Sequence, residues 1–308
     1  MSHLPYDTFR ETLAIRYPNC GHALWEPSSG GLYDSVEVGD VGFIREGCFH
    51  RLFNVFLPKE HPSHSNFGVP EDHQQLPLNV PNHIHKVRDG TDDFCSRHVS
   101  LVSNERNVHA WGPDDDPQVT VTCPGRRGAM LSLPSRAQRE DTIARGAFGK
   151  WMVKHIDLWV AFAETLGLGV NRMQDIILVT GRHCAKSWIN VAFSDSHRDA
   201  EVSFGVRLSG SSGVTVERRA VRGDATLKLG PSGEDLPENQ CIFVRGFRVV
   251  RMWNIWPRLR GGAGPPSDTG GNDPEFGNDK FLEPLGSPFD TSFPDPLHVL
   301  LQYIAELV

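Results

Sequence analysis

No run of apolar residues in this sequence approaches the roughly eighteen needed to cross a bilayer as a helix, which excludes a helical membrane anchor within it. The first eighteen residues mix polar and apolar side chains without the apolar centre of a secretory signal, so the expectation is a cytoplasmic, soluble protein. The familiar catalytic signatures are also missing. There is no GxxxxGK[ST] phosphate loop, and Gly167-Leu168-Gly169 lacks the third glycine of a dinucleotide fingerprint. HExxH and GxSxG are absent too, which removes the commonest zinc-hydrolase and serine-hydrolase patterns. The six cysteines, at 20, 48, 95, 123, 184 and 241, include no C-x-x-C pair. They read as reduced, mostly buried thiols. Cys184 beside His183 suggests a nucleophile, but adjacent strand residues point to opposite faces.

What the chain has is turns and an uneven distribution of charge. Gly 30 and Pro 22 in 308 residues exceed the usual share of about 12%, which argues against coiled coils and helical solenoids. The formal net charge is −7. All of it lies beyond residue 260, where Asp268, Asp273, Glu275, Asp279, Glu283, Asp290, Asp295 and Glu306 face the single base Lys280. Residues 1–260 carry acids and bases in equal number. Just before the tail come Arg245, Arg248, Arg251, Arg258 and Arg260, interleaved with Phe247, Trp253 and Trp256. An arginine and aromatic mixture can bind phosphates, stack on bases or lie at a membrane surface. The plainer alternative is a strand whose arginines form its solvated face.

The periodicity predicts an α+β fold, a largely antiparallel sheet with one main core helix and a C-terminal amphipathic helix. Residues 1–130 read as turn-rich, with a hairpin around Arg45-Glu46-Gly47 and short strands near 99–102 and 119–122. A helical stretch is expected from Ser135, which has capping-box spacing to Gln138, with its core run from Phe148 to Leu166 and a stop at Gly167. Period-two segments follow at 176–180, 187–193, 202–208, 214–216 and 241–250. Residues 1–260 thus form one globular body, 261–296 an acidic Gly/Pro-rich linker or arm, and 297–308 a docking helix with Leu297, Leu300, Leu301, Ile304 and Val308 on one face. Phe281 and Leu282 are among the apolar residues able to anchor the arm.

The sequence has 14 histidines. His61, His64 and His73 in the loop 59–82, with His83 and His85 after it, are the metal candidates, since three imidazoles can hold zinc and leave a water position open. No carboxylate is spaced to complete the set, so no cofactor or metal is expected. Asp114-Asp115-Asp116 reads as a solvated turn.

Several phrases together resemble a family of mushroom-forming (basidiomycete) fungal proteins. They are Val38-Gly39-Asp40-Val41-Gly42-Phe43, Gly47-Cys48-Phe49, Leu52-Phe53-Asn54-Val55, Gly128 to Pro134, Ile177 to Gly181 and Asn239 to Phe247. That resemblance implies a fungal, intracellular origin and carries no activity with it. Gly39-Asp40-Val41, Leu52-Phe53-Asn54, the strand at 177–181 and the segment 295–308 are also similar to fungal gasdermin-like pore-forming proteins. This implies a membrane-permeabilising effector held inactive by its C-terminal segment.

The leading expectation is therefore a non-catalytic protein that acts by binding an anionic membrane or other anionic partner after the tail releases, with nucleic acid the weaker choice. The alternative is a hydrolytic or specialised-metabolism enzyme that uses the histidines of loop 59–85.

Overall fold

The turn at Glu46-Gly47 forms as its residues require. Both carry positive φ, 52° and 79°, and they join β2 (Asp40–Arg45) to β3 (Cys48–Asn54) as a tight antiparallel hairpin. The structure, a computed structural model, describes residues 4–27, 35–78, 83–88, 93–103, 118–194, 200–209, 213–233, 235–251 and 280–285. The C-terminal segment 297–308 lies outside the described residues, as do Trp253, Trp256, Arg258 and Arg260.

The fold is α+β, with antiparallel sheets throughout. Sheet A has the order β1-β15-β10-β2-β3, from β1 (His22–Ala23), β10 (Ile177–Ala185), β15 (Gln240–Arg251) and the hairpin. It branches twice. The second half of β10 leaves β2 and pairs with β9 (Gln138–Thr142), which pairs outward with β4 (Ile84–Arg88). The second half of β15 leaves β1 and pairs with β16 (Lys280–Pro284). Sheet B runs β14 (Ala225–Leu229), β11 (Ile189–Phe193), β8 (Gly128–Ser132), β5 (Asp93–Cys95). Sheet C runs β13 (Gly213–Arg222), β12 (Ala200–Ser209), β7 (Gln118–Cys123), β6 (Ser100–Ser103).

Among the described residues two α-helices pack against these sheets. Helix α1 (Pro5–Arg16) begins with proline at its first turn, where the missing N–H costs nothing. It buries Phe9 and Leu13 with Trp25, Ala129 and Leu131. Helix α2 (Arg145–Thr165) presents Phe148, Met152, Ile156, Trp159 and Ala163 to sheet A, against Leu178, Val249, Val41 and Phe53. Gly146 and Gly149 do not break α2, and Gly167, at φ 65°, follows its end. A third apolar layer, with Val121, Met130, Val191, Phe193, Val202 and Phe204, joins sheets B and C.

Two expectations need correction, and the arm gains a strand that anchors it. The helical stretch predicted from Ser135 is in fact strand β9 over Gln138–Thr142. Its charges are what overturn the local propensity, because Arg139, Glu140 and Asp141 occupy register positions beside Arg182, His183 and Arg245, and Glu140 and Asp141 gain ionic partners there. The supposedly irregular start holds α1, whose apolar positions are too few to show a strong helical period. Within the segment read as an arm, residues 280–284 form β16, an edge strand of sheet A.

Candidate functional site

The arginine strand is the natural place to begin. On β15, Arg245 lies directly across from Gly181 on β10, and Gly181 lies directly across from Asp141 on β9. With no side chain on the middle strand, the two outer ones meet above it. Arg245 Nε donates to Asp141 Oδ1 at 2.5 Å. Its other nitrogens donate to backbone carbonyls: Nη1 to Cys20 at 3.0 Å, Nη2 to Arg182 at 2.9 Å and to Glu140 at 3.3 Å. Arg245 is only 8% exposed. This corrects both readings of that residue. It is neither a solvated arginine nor an anion-binding one, because its fork is spent on the core, where a buried guanidinium requires such partners.

One residue further along β9 and β10, on the opposite face, a second ionic row forms. Arg182 Nε donates to Glu140 Oε2 at 2.8 Å, and Lys86 Nζ lies 2.6 Å from Glu140 Oε1. Burial pushes the Glu140 carboxyl up, but the hydrogen bonds from Lys86 and Arg182 outweigh it and hold the group below its ordinary value. Arg182 Nη1 also donates to Ser35 Oγ at 2.9 Å. These rows hold β4, β9, β10 and β15 in register.

Arg248 differs from Arg245 in its partner. Both Nε and Nη2 lie 2.9 Å from Glu283 Oε2, on β16. The acidic tail thus returns to the arginine strand and places a carboxylate on Arg248. At the same strand end, Arg251 pairs in register with Lys280, whose Nζ reaches Asp157 of α2 at 2.5 Å. Leu282 Cδ1 lies where Gly149 of α2 has no side chain, since a Cβ there would come within 2.7 Å of it. Leu285 is buried and donates its N–H to Gly246 O at 2.9 Å. The sequence reading counted Glu283 only among the acids of the tail and gave Asp157 and Gly149 no part in holding it. Lys280 to Leu285 carries no strand alternation, since Lys280 and Glu283 stand three apart with two apolar residues after each.

The histidines divide into two groups. His61, His64 and His73 adjoin one another, with ring centroids 6.1 Å and 5.9 Å apart. Each is engaged by backbone. His61 Nδ1 accepts from Ser63 N, His64 Nε2 accepts from Asn54 N at 3.1 Å, and His73 Nε2 donates to Leu57 O at 2.9 Å. Accepting from an amide leaves the neutral His64 proton on Nδ1, and burial depresses its pKa. His83 and His85 lie elsewhere, at the start of β4 on the outer edge beside β9. Among the described residues no three His, Cys, Asp or Glu side chains are placed to hold a metal ion.

The Gly39-Asp40 and Leu52-Phe53-Asn54 phrases meet in a buried polar knot. Asp40 accepts from Glu37 N at 2.6 Å and Asn54 Nδ2 at 2.8 Å, and lies 2.8 Å from Arg51. Burial lifts its carboxyl to about 6 against the pull of Arg51 and these hydrogen bonds. These residues close the β2–β3 hairpin and tie it to loop 55–78.

No family model matches the chain, and no curated protein matches it. No helix among the described residues is long and apolar enough to cross a membrane.

Proposed function

We propose that this protein acts by binding an anionic surface, a membrane foremost, and that its acidic tail is an internal cover for the binding edge. The observation that carries the reading is β16. The tail places a carboxylate on Arg248, a leucine on the glycine gap of α2, and a strand on the half of β15 that β1 leaves open. An edge strand is where another chain or surface engages a sheet, and proteins cover such edges when they are not in use. β16 is held by its backbone ladder to β15, two partly exposed ion pairs, exposed Leu282 and buried Leu285, and as a short edge strand it can part from the sheet without opening the layers beneath.

The charge balance supports the same reading. Losing residues 261–308 takes the net charge from −7 to neutral and removes Glu283 from beside Arg248. Gasdermin-like permeabilisation is the stronger form of the proposal, and a fungal, cytoplasmic protein is the setting it implies.

Co-sedimentation with phosphatidylserine vesicles tests it. The chain lacking 261–308 should bind at low salt, lose binding as salt rises, and bind neutral vesicles poorly, while the full chain binds neither. Dye release from the same vesicles would support the permeabilising form. Equal vesicle binding by full and truncated chains at low salt would overturn the reading.

A further inference from the structure

Cys184 and Cys241 are direct register partners across the antiparallel pair β10–β15. Directly opposed residues in an antiparallel pair have Cα atoms about 4.5–5.5 Å apart, inside the range a disulfide spans, and this pair stands immediately after a register shift between His183 and Cys184. Both are free thiols, and each lies near enough to shift the other's pKa. Cys241 is fully buried and its S–H donates to Phe243 O at 3.4 Å. Cys184 is 3% exposed and lies 3.5 Å from the hydroxyl of half-buried Ser35, which Arg182 holds from above. The pair is thus one small side chain below the surface, beside a guanidinium.

We propose that Cys184 and Cys241 are a reversible oxidation site, converted by hydrogen peroxide or another small hydroperoxide into a disulfide that bridges β10 and β15. The two thiols have unlike roles. The adjacent Cys241 thiol and the charge of Arg182 draw Cys184 down to about 7 in spite of burial, whereas burial raises Cys241. Cys184 is therefore the attacking sulfur. Its thiolate forms an S–O bond and breaks the peroxide O–O bond, and the released hydroxide takes up the proton that Cys184 gave away, leaving a sulfenic acid and water. Cys241 then attacks the Cys184 sulfur, the S–S bond forms, the S–O bond breaks, and the second water leaves with the Cys241 proton. Two thiols lose two electrons and one peroxide gains them.

Exposure alone predicts a different outcome. Cys20 and Cys95 are the half-exposed thiols, and a reagent governed by access would consume them first. Burial and the Asp93 charge hold Cys95 up at about 11, which removes it as a nucleophile at neutral pH.

The experiment is oxidation of the full folded chain with hydrogen peroxide, then denaturation in N-ethylmaleimide and peptide mapping. Of the six cysteines, four should be alkylated, and one cross-linked peptide should join Cys184 to Cys241 and vanish with dithiothreitol. Cys184→Ser and Cys241→Ser should each abolish that peptide. If either variant fails to fold, phenylarsine oxide on the unmodified chain decides the matter, because a dithiol takes one arsenic per chain and protects both sulfurs from later alkylation. Loss of Cys20 or Cys95 before the pair, or full alkylation of Cys184 and Cys241 after peroxide and after arsenical, would overturn the proposal.

Discussion

Replacing Gly181 by alanine tests the row that locks the arginine strand into the core. In an ordinary strand this change is neutral or favourable, since alanine restricts the unfolded chain and gains about 0.4–1 kcal/mol where the backbone is compatible. Gly181 is not among the positive-φ glycines, so its backbone raises no objection. The objection is spatial. A methyl at 181 would overlap Asp141 Oδ1 and come within 2.9 Å of Arg245 Nε and Glu140 O. It would part the carboxylate from the guanidinium in a site where both are mostly withdrawn from water. Breaking a buried pair and leaving its charges unmatched costs about 3–5 kcal/mol. For a chain of this size, that is a fall of about 5–8 °C in the melting midpoint. Urea denaturation with matched slopes gives the free energy, and Asp141→Ala gives the control. With the carboxylate already gone, most of the extra cost of Gly181→Ala should disappear. A variant as stable as the parent, or the same loss in both backgrounds, would refute the reasoning.

Two further outcomes follow from neighbouring residues. Burial first, and then the charges of Arg245 and Arg139, depress His183 to about 3, so the folded state binds no proton there across the range where the unfolded chain, near 6.5, does. Stability from this group is present above pH 6.5 and is lost as pH falls toward 3. His183→Gln should therefore flatten the stability profile between pH 6 and 4 by up to one proton, about 1.4 kcal/mol per pH unit, and an unchanged slope in urea titrations counts against it. Gly149→Leu fills the space of Leu282 with a better helix former, worth up to about 1 kcal/mol to α2 itself. Hydrogen exchange at the Leu285 amide should accelerate roughly tenfold, the worth of displacing a half-buried leucine, with no fall in overall melting midpoint. Equal protection in both chains would mean that Leu282 does not hold β16.

Much of the fold was legible because its strongest signals are local. The apolar period of α2, the Glu46-Gly47 turn and the alternation of β11, β12 and β15 need only neighbouring residues to be read. What escaped depends on partners far along the chain. Gln138 to Thr142 has helical credentials locally, but its charges are satisfied by residues 40 to 105 positions later, Arg182 and Arg245. The alternation of Arg245 and Arg248 was visible, yet their different fates were not. One faces a glycine that admits Asp141, and the other faces the tail. The acidic tail was recognised by its charge, whereas its pairing segment β16 was hidden among prolines and glycines. Cys184 was weighed with its sequence neighbour His183, and its true neighbour, Cys241, stands across the sheet.

The central place of β15 also bears on how the chain comes to fold. This strand joins β1, from residues 22–23, to β10, from residues 177–185, yet it is itself synthesised only at 240–251. During N-to-C production the middle of sheet A is therefore vacant until most of the chain exists, and β10 waits with an apolar edge open. Contacts over such separations close slowly. Folding of this protein is thus a late event, gated by one strand, and the period before β15 arrives is when chaperone protection matters most.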